Sequence, residues 1–180
     1  EFVLTIENWQ SSFSSVFVDM YGERQITNYR NSLPEGAAKS ILGFPVFDAY
    51  LSDSRWNEAA IATLSLAKKF KKPGILDAEA PVSEQAVDLA SHVAFSKQGL
   101  SHFTNKDDVT ASLKVIENDF NSWACVTDGS NGVYFLEEGT LCNLPAPEIK
   151  AKDTLGAGDV WHGAFAVCLA EGKSEIEAIK

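Results

Sequence analysis

The 180-residue sequence is poor in basic residues and has no long apolar run, and each shortage excludes a class of protein. Lys and Arg total 15 against 25 Asp and Glu, and this net charge of -10 argues against a nucleic-acid partner, which selects a basic face. No apolar run approaches the roughly 20 residues that cross a bilayer, so we expect no membrane partner. With 45% hydrophobic and 22% charged residues, the composition is that of a globular domain.

Cysteine is also scarce. Cys125, Cys142 and Cys168 are too few and too far apart for a disulfide framework or a CxxC zinc site. We therefore expect three reduced thiols packed in the core, and a cytoplasmic protein. The three histidines show no metal-binding spacing, and there is no HExxH motif and no serine or cysteine nucleophile motif.

Both ends of the sequence look interrupted. The only methionine is Met20, and residues 1–6 read as a strand already under way. Ser174 and Glu177 have the spacing of a capping box, which would start a helix that stops at Lys180 after about two turns. We expect a piece of a longer protein, truncated at both ends, with natural processing as the alternative.

From Trp56 onward, amphipathic helices alternate with short apolar strands. This alternation predicts βαβ units, and hence one α/β domain over residues 1–180 with a doubly wound, mostly parallel sheet and helices on both faces. A strand is also expected at the end of Ser40–Tyr50, and a hairpin strand at Val133–Leu136. The predicted helices are Trp56–Lys72, Glu84–Ala90, Asp107–Phe120 and a largely buried Gly158–Ala170, and the predicted strands are Gly74–Ala78, His92–Ser96 and Trp123–Thr127.

One segment does not fit this alternation. Ser15–Asp19 and Arg24–Tyr29 are β-like runs joined by a turn at Tyr21–Glu23. The pattern predicts a separate β-hairpin, a flap or lid at about residues 14–30. Apolar residues occur on both of its faces, so one face should cover a ligand and the other should meet a second lid.

The strongest candidate site is the segment Asp153–Asp159, sequence DTLGAGD, which leads into the helix that follows. Gly156, Ala157 and Gly158 leave backbone N–H groups uncovered at a helix N-terminus, which suits a phosphate. Asp159 then lies in the first turn, next to that anion site. An anion site beside a carboxylate base is what phosphoryl transfer to a hydroxyl requires. The structural alternative is a glycine-rich start to a helix, with an Asp that favours its N-terminus.

A second candidate is the loop Thr127–Gly132, sequence TDGSNG, which follows a predicted strand. Ligands of α/β proteins bind beyond the carboxyl ends of strands, so Thr127, Gly129, Ser130 and Gly132 could line the phosphates of a nucleotide. A plain hairpin turn is the alternative. A dinucleotide fingerprint is not supported, because Trp161 stands where its third glycine is needed.

Together these residues resemble a known family. The DTLGAGD segment followed by Gly163 and Ala164 looks like the C-terminal signature of the ribokinase-like carbohydrate kinases, the PfkB family. The loop Thr127–Gly132 is similar to that family's nucleotide-binding T-x-G-x-x-G segment, and the hairpin resembles its β lid. The resemblance covers nearly the whole chain, which would match the middle and C-terminal part of such a kinase.

The resemblance implies a role for each matching residue. Asp159 would be the catalytic base and contact the substrate, Gly156, Ala157 and Gly158 would form the anion hole, and the loop from Thr127 to Gly132 would bind ATP. Asn28 and Arg30 are candidates for contact with sugar hydroxyls by their position near the hinge of the hairpin alone. Asp153 and the backbone of Leu155 lie where some members bind a monovalent cation such as K⁺. The family implies ATP and Mg²⁺ as cofactors, a sugar substrate and a homodimer formed through the lids.

The sequence also departs from the family pattern. The glycine-rich sugar-binding segment and the region that closes the adenine pocket are not in this sequence. The usual N-x-x-E stretch reads Ser96-Lys97-Gln98-Gly99, which puts the usual magnesium arrangement in doubt. Leu76–Glu79 and Ile26–Arg30 look like the branch that acts on ketohexoses and their sulfonated relatives. We expect a sugar kinase, with a non-catalytic binding module of the same fold as the alternative; a dinucleotide oxidoreductase is the least supported reading.

Overall fold

The computed structural model describes residues 5–20, 24–150 and 153–180. Most of the strand expected at residues 1–6 lies outside the described residues, and Thr5 and Ile6 are not in a strand. The expected turn Tyr21–Glu23 also lies outside them. The two strands on either side of it, β1 (Phe13–Val18) and β2 (Arg24–Tyr29), pair antiparallel as a separate two-stranded sheet. The predicted hairpin is therefore present, with β1 two residues earlier at its start than expected.

Six further strands form one sheet whose order follows the sequence. The first four strands are parallel and the last two are antiparallel, so the expected mostly parallel sheet is confirmed. The strand at Val133–Glu137 pairs back on the strand at Trp123–Thr127, as the hairpin pattern predicted. The strands are β3 (Tyr50–Asp53), β4 (Gly74–Ala78), β5 (His92–Ser96), β6 (Trp123–Thr127), β7 (Val133–Glu137) and β8 (Thr140–Leu144).

Helices cover both faces of this sheet. Leu76, Val93 and Phe95 pack with the helices that connect the parallel strands, as right-handed crossovers along a sequential sheet require. Ile75, Ala94 and Cys125 point to the other face, where the last two helices pack. The helices are α1 (Asn57–Phe70), α2 (Glu84–Leu89), α3 (Lys97–Thr104), α4 (Val109–Asp119), α5 (Ala157–Ala170) and α6 (Glu175–Ala178).

Two elements of this fold are missing from the sequence-based prediction. Helix α3 contains Gly99, a weak helix former, but a Cβ there would stand 2.1 Å from the Ala78 carbonyl oxygen, so close packing requires the glycine. Strand β8 follows a two-residue turn in which Glu138 and Gly139 have φ of 50° and 73°. Both residues of a type I′ hairpin turn need positive φ, and the usual Asn-Gly or Asp-Gly signal is not present here.

Two other expectations were wrong in detail. The strand expected at the end of Ser40–Tyr50 begins only at the last of these residues, Tyr50, and continues to Asp53, and a 3₁₀ helix that was not predicted spans Ala37–Gly43. Helix α5 is buried on one face only, because Val160 and Val167 are 74% and 57% exposed. Among the described residues, no helix combines the length and the apolar character needed to cross a membrane. The capping box at Ser174 and Glu177 is confirmed.

The three cysteines are unpaired, and only Cys125 is fully buried. Burial in the apolar core raises the pKa of the Cys125 thiol, because the charged thiolate is poorly solvated there. Cys142 and Cys168 are half-buried and pack against the core, so all three thiols are packed but only Cys125 lies fully inside the core.

His92 makes the stability of the domain depend on pH. Its ring packs against Phe165, its Nδ1 lies 2.8 Å from Ser91 Oγ and its Nε2 lies 3.4 Å from Glu175 Oε1. Burial lowers the pKa of His92 below its ordinary value of 6.5, and the Glu175 carboxylate opposes this only in part. The folded state therefore binds this proton less readily than the unfolded chain, so His92 costs no stability well above pH 6.5 and destabilises the fold as the pH falls below it.

We expect the urea concentration at the midpoint of unfolding to decrease when the pH is lowered from 7.5 to 5. The variant His92→Gln should show a smaller decrease. His102→Gln is the matched control, because His102 is exposed on α3 and should leave the slope unchanged. An equal slope in His92→Gln and in the unmodified chain would contradict the assignment to His92.

Candidate functional site

The loop before α5 is held by its own backbone and by one side chain. Asp153 Oδ1 accepts a hydrogen bond from the Leu155 N–H at 2.8 Å, and the Ala157 N–H donates to the Thr154 carbonyl at 3.2 Å. Gly156, the residue before the helix, has φ of +74°, a left-handed conformation that favours glycine. The loop thus turns sharply into the helix, and the glycine is needed at that turn.

This turn leaves open hydrogen-bond donors. Within the part of the chain that the structure describes, the N–H groups of Gly156, Gly158 and Asp159 donate to no acceptor. A Cβ at Gly158 would meet nothing within 4 Å, so the space beside these groups is empty. The N-terminal end of the helix dipole favours negative charge at the same point. Of the three residues predicted for the anion hole, Gly156 and Gly158 have a free N–H, and the N–H of Ala157 is already used.

A cleft of about 960 Å³ lies between the hairpin and the sheet domain. From the hairpin side it is lined by Val16, Ile26 and Asn28, and Arg30 adds to this wall. From the domain side it is lined by Asp159, among other residues. The structure therefore brings the three residues predicted for substrate contact, Asn28, Arg30 and Asp159, to one cavity.

Asn28 is fixed within this wall. Its Oδ1 accepts a hydrogen bond of 2.5 Å from Ser14 Oγ, across the β1–β2 pair. Because the amide oxygen is engaged, the amide N–H groups are what Asn28 can offer to a ligand. A sugar hydroxyl can accept such a hydrogen bond.

Among the cleft residues that were not predicted from the sequence are Asp53, Arg55 and Trp56. They end β3 or follow it directly, so the rule that ligands bind beyond the carboxyl ends of strands could have found them. Asp53 Oδ1 accepts from the Arg55 backbone N–H at 2.8 Å, which fixes the start of this segment. The Arg55 guanidinium forms no ion pair with any residue of the described ranges, so it is free to meet a ligand.

The loop Thr127–Gly132 is a compact turn between β6 and β7 that does not line this cleft. The Asp128 N–H donates to the Gly132 carbonyl at 2.9 Å, and the Gly132 N–H donates to the Gly129 carbonyl at 3.1 Å. Ser130 is exposed, and Thr127 Oγ1 lies 3.4 Å from the Phe95 carbonyl oxygen. The structure is thus a well-formed hairpin turn at the carboxyl end of β6, and nucleotide binding there would be additional to that structural role.

Four carboxylates gather at the carboxyl ends of β3 and β4 and at the start of α5. Asp53 and Asp77 stand opposite each other in neighbouring strands. Burial raises the pKa of Asp77, His162 opposes this rise, and the charges of Glu79, Asp53 and Asp159 add to it. His162 Nδ1 lies 3.5 Å from Asp77 Oδ2. The candidate base is therefore part of a strongly acidic edge.

The residues in place of the N-x-x-E pattern are structural here. Ser96 Oγ accepts from the Gly99 N–H at 2.9 Å, which caps α3, and donates to Glu79 Oε2 at 3.0 Å. Nowhere in residues 5–20, 24–150 and 153–180 do three His, Cys, Asp or Glu side chains converge as metal ligands.

Comparison with known proteins identifies relatives. The chain is 41% identical over 69 residues to the ribokinase of Lactococcus lactis, a match that covers 38% of this chain and 23% of that protein. The crystal structure of a candidate ribokinase from Agrobacterium tumefaciens superposes with a TM-score of 0.83 at 31% identity, covering 96% of this chain and 59% of the other. The structure of Arabidopsis thaliana ribokinase complexed with ribose and ATP gives a TM-score of 0.73 at 20% identity, covering 96% and 60%.

These matches confirm the ribokinase-like fold, and they span less than two thirds of the length of each relative. The model of the pfkB family carbohydrate kinases matches residues 7–180, which include the lid hairpin, the TDGSNG loop and the DTLGAGD segment. The chain belongs to the pfkB family of carbohydrate kinases.

Proposed function

We propose that the protein transfers the γ-phosphoryl group of ATP to a hydroxyl group of a small sugar, with Asp159 as the base. The observation that carries this proposal is the position of Asp159, which lines the cleft from the first turn of α5, beside the open N–H groups of Gly156 and Gly158. The family membership and the similarity to ribokinases support it.

In this proposal the Asp159 carboxylate orients the sugar hydroxyl and accepts its proton as the hydroxyl oxygen bonds to the γ-phosphorus. The bond between that phosphorus and the bridging oxygen of ATP breaks, and ADP leaves. The open N–H groups of Gly156 and Gly158, with Ala157 between them, stabilise the negative charge on the transferring phosphoryl oxygens. Asn28 and Arg30 hold the sugar from the lid side.

ATP lies along Thr127, Gly129, Ser130 and Gly132 in this proposal. Mg²⁺, when bound with the nucleotide, would neutralise negative charge on the phosphates. For a monovalent cation such as K⁺ we propose the free oxygen of Asp153 and the Leu155 carbonyl; the Asp153 Oδ1 is already engaged by the Leu155 N–H. We also propose a cytoplasmic setting, because the phosphoryl donor is ATP and because the three cysteines are unpaired.

The test is ATP consumption by the whole protein across a panel of sugars and nucleosides. Turnover with at least one sugar supports the proposal. A non-catalytic sugar- or nucleotide-binding module is the second candidate, and the observation that favours it is the replacement of the N-x-x-E pattern by Ser96 and Gly99. Calorimetry with ATP and sugars separates the two, because binding without any turnover would identify the module.

We also propose that the protein is a homodimer joined through the lids. Val16, Ile26 and Asn28 line the cleft, whereas Phe17 follows β-strand alternation to the opposite face of the hairpin, where it is 64% exposed. An isolated two-stranded hairpin is only marginally stable in water, so a second lid packed on this face would stabilise it.

Phe17→Asp is expected to weaken the dimer at least tenfold, because it places a charge in an apolar contact. Sugar affinity should fall with it, since the lid loses its support. Ile26→Asp is the matched variant on the cleft face, and it should weaken sugar binding directly while the dimer persists. Sedimentation measures the mass and calorimetry the affinity. An unchanged mass and an unchanged affinity in Phe17→Asp would show that this hairpin is neither interface nor lid.

A further inference from the structure

Two arginines lie in the cleft, one on each wall. The sequence contains only three arginines, and two of them, Arg30 and Arg55, line this cavity of about 960 Å³. Arg30 directly follows β2 on the hairpin side, and Arg55 lies just beyond the end of β3 on the domain side. No lysine of the described residues lines the cleft, although lysine is the commoner basic residue in the sequence. Guanidinium groups therefore supply the positive charge of the cleft.

These two guanidinium groups have no partner within the described part of the protein. Neither makes an ion pair or a side-chain hydrogen bond there. The cleft also contains two carboxylates, Asp53 and Asp159. Asp53 Oδ1 accepts the backbone N–H of Arg55 rather than its guanidinium, and Asp159 is the proposed base. Both arginines thus remain available to a ligand in the cavity.

A neutral sugar does not require two guanidinium groups. Its hydroxyls can be held by neutral donors and acceptors, and the same cleft already offers Gln10, Asn28 and Asn31. Arginine donates through a planar fork whose spacing matches two oxygens of a carboxylate or a phosphate. Two such forks in one cavity are therefore suited to an oxyanion.

The nucleotide is the other source of oxyanions, and the structure favours the acceptor. The loop proposed to hold ATP, Thr127–Gly132, does not line this cleft. The open N–H groups of Gly156 and Gly158 already offer an anion site to the transferring phosphoryl group. Arg30 and Arg55 are thus left for a negative charge on the sugar itself.

We propose that the acceptor sugar carries an anionic group, a carboxylate, a sulfonate or a phosphate, which Arg30 and Arg55 bind together. The inference rests on the proposed function and narrows its substrate class. The hydroxyl that receives the phosphoryl group lies at Asp159, and the anionic group lies away from it, because like charges repel. Since one arginine follows the hairpin and the other belongs to the domain, the anionic group also links the two walls of the cleft.

The test is the acceptor preference of the whole protein. Fructose, glucose and ribose are each compared with derivatives that carry a carboxylate, a sulfonate or a phosphate, which distinguishes the three anionic groups. We expect kcat/KM for the best anionic acceptor to exceed that of its neutral parent by about tenfold or more. Arg55→Gln should lower this preference by about tenfold or more, and Arg30→Gln should lower it as well. Arg55→Lys keeps the charge but not the fork, so it should retain only part of the preference.

Lys114→Gln is the matched control, because it removes a positive charge from the exposed surface of α4, outside the cleft. Its acceptor preference should equal that of the unmodified protein. The proposal is overturned if no anionic derivative is preferred to its neutral parent, or if Arg55→Gln leaves the preference unchanged. A raised KM for ATP in Arg55→Gln with the same acceptor preference would assign the arginine to the nucleotide and overturn it too.

Calorimetry separates this proposal from the proposed function. If the whole protein phosphorylates nothing, the proposed function fails, and the affinities of the same sugars then decide whether an anionic group is recognised. Tighter binding of an anionic derivative than of its neutral parent, weakened in Arg55→Gln, would support the proposal without any turnover. Equal binding of the two forms, or no binding of either, would overturn it.

Discussion

Asp159→Asn is expected to lower kcat by about 10²–10⁴-fold, the range that a positioned general base contributes. Asparagine keeps the shape of the side chain but cannot accept the proton of the acceptor hydroxyl. Asp159 is exposed in the cleft and makes no hydrogen bond through its carboxylate among the described residues, so its loss should not disturb the fold. The KM for the sugar and the thermal midpoint should therefore change little. Initial rates with the best sugar of the panel measure the effect.

Asp119→Asn is the matched control for this variant. It makes the same chemical change at the exposed C-terminal end of α4, outside the residues that line the cleft. Its kcat should equal that of the unmodified protein. Full activity in Asp159→Asn would show that Asp159 is not the catalytic base. An equal loss of kcat in both variants would indicate a general effect of charge.

Three of the four parallel strands could be predicted to the residue, and there is a physical reason for this. Gly74–Ala78, His92–Ser96 and Trp123–Thr127 are buried on both faces, so each is a short apolar run bounded by turn or helix signals. The elements missed are those in which tertiary contact overrides local preference. Gly99 weakens the helix signal of α3 because the packing against β4 needs it, and the Glu138–Gly139 turn lacks the common hairpin residues.

The candidate site likewise has one part that could be predicted from the sequence and another part that could not. The DTLGAGD loop could be found because its chemistry is local: glycine backbone, helix start and carboxylate lie within one short segment. Arg55 and Trp56 join the cleft only because β3 ends beside the lid, and the pairing of Asp77 with His162 joins segments far apart in the sequence. Such contacts depend on the sheet order, which a single sequence predicts poorly.

Substitutions of two glycines in the TDGSNG loop can distinguish the structural role of this loop from a role in nucleotide binding. Gly132 has φ of +89° and ψ of -147°, a region that only glycine occupies readily. A Cβ there would stand 2.0 Å from the Leu144 carbonyl oxygen and 2.8 Å from the Ala146 nitrogen, both backbone atoms that cannot move aside easily. We expect Gly132→Ala to destabilise the domain by about 3 kcal/mol or more, because backbone strain and overpacking add. Urea unfolding of the chain measures the effect.

Gly129→Ala is the matched variant in the same turn. Gly129 has φ of +53°, but a Cβ there meets nothing within 4 Å, so the cost should be the left-handed strain alone, about 1 kcal/mol. Equal destabilisation in both variants would contradict the packing argument for Gly132. If ATP lies along this turn, the methyl group of Gly129→Ala occupies space that the nucleotide needs, and the KM for ATP should rise while the fold persists. An unchanged KM in that variant would leave Gly129 as a turn residue and move the nucleotide away from this loop.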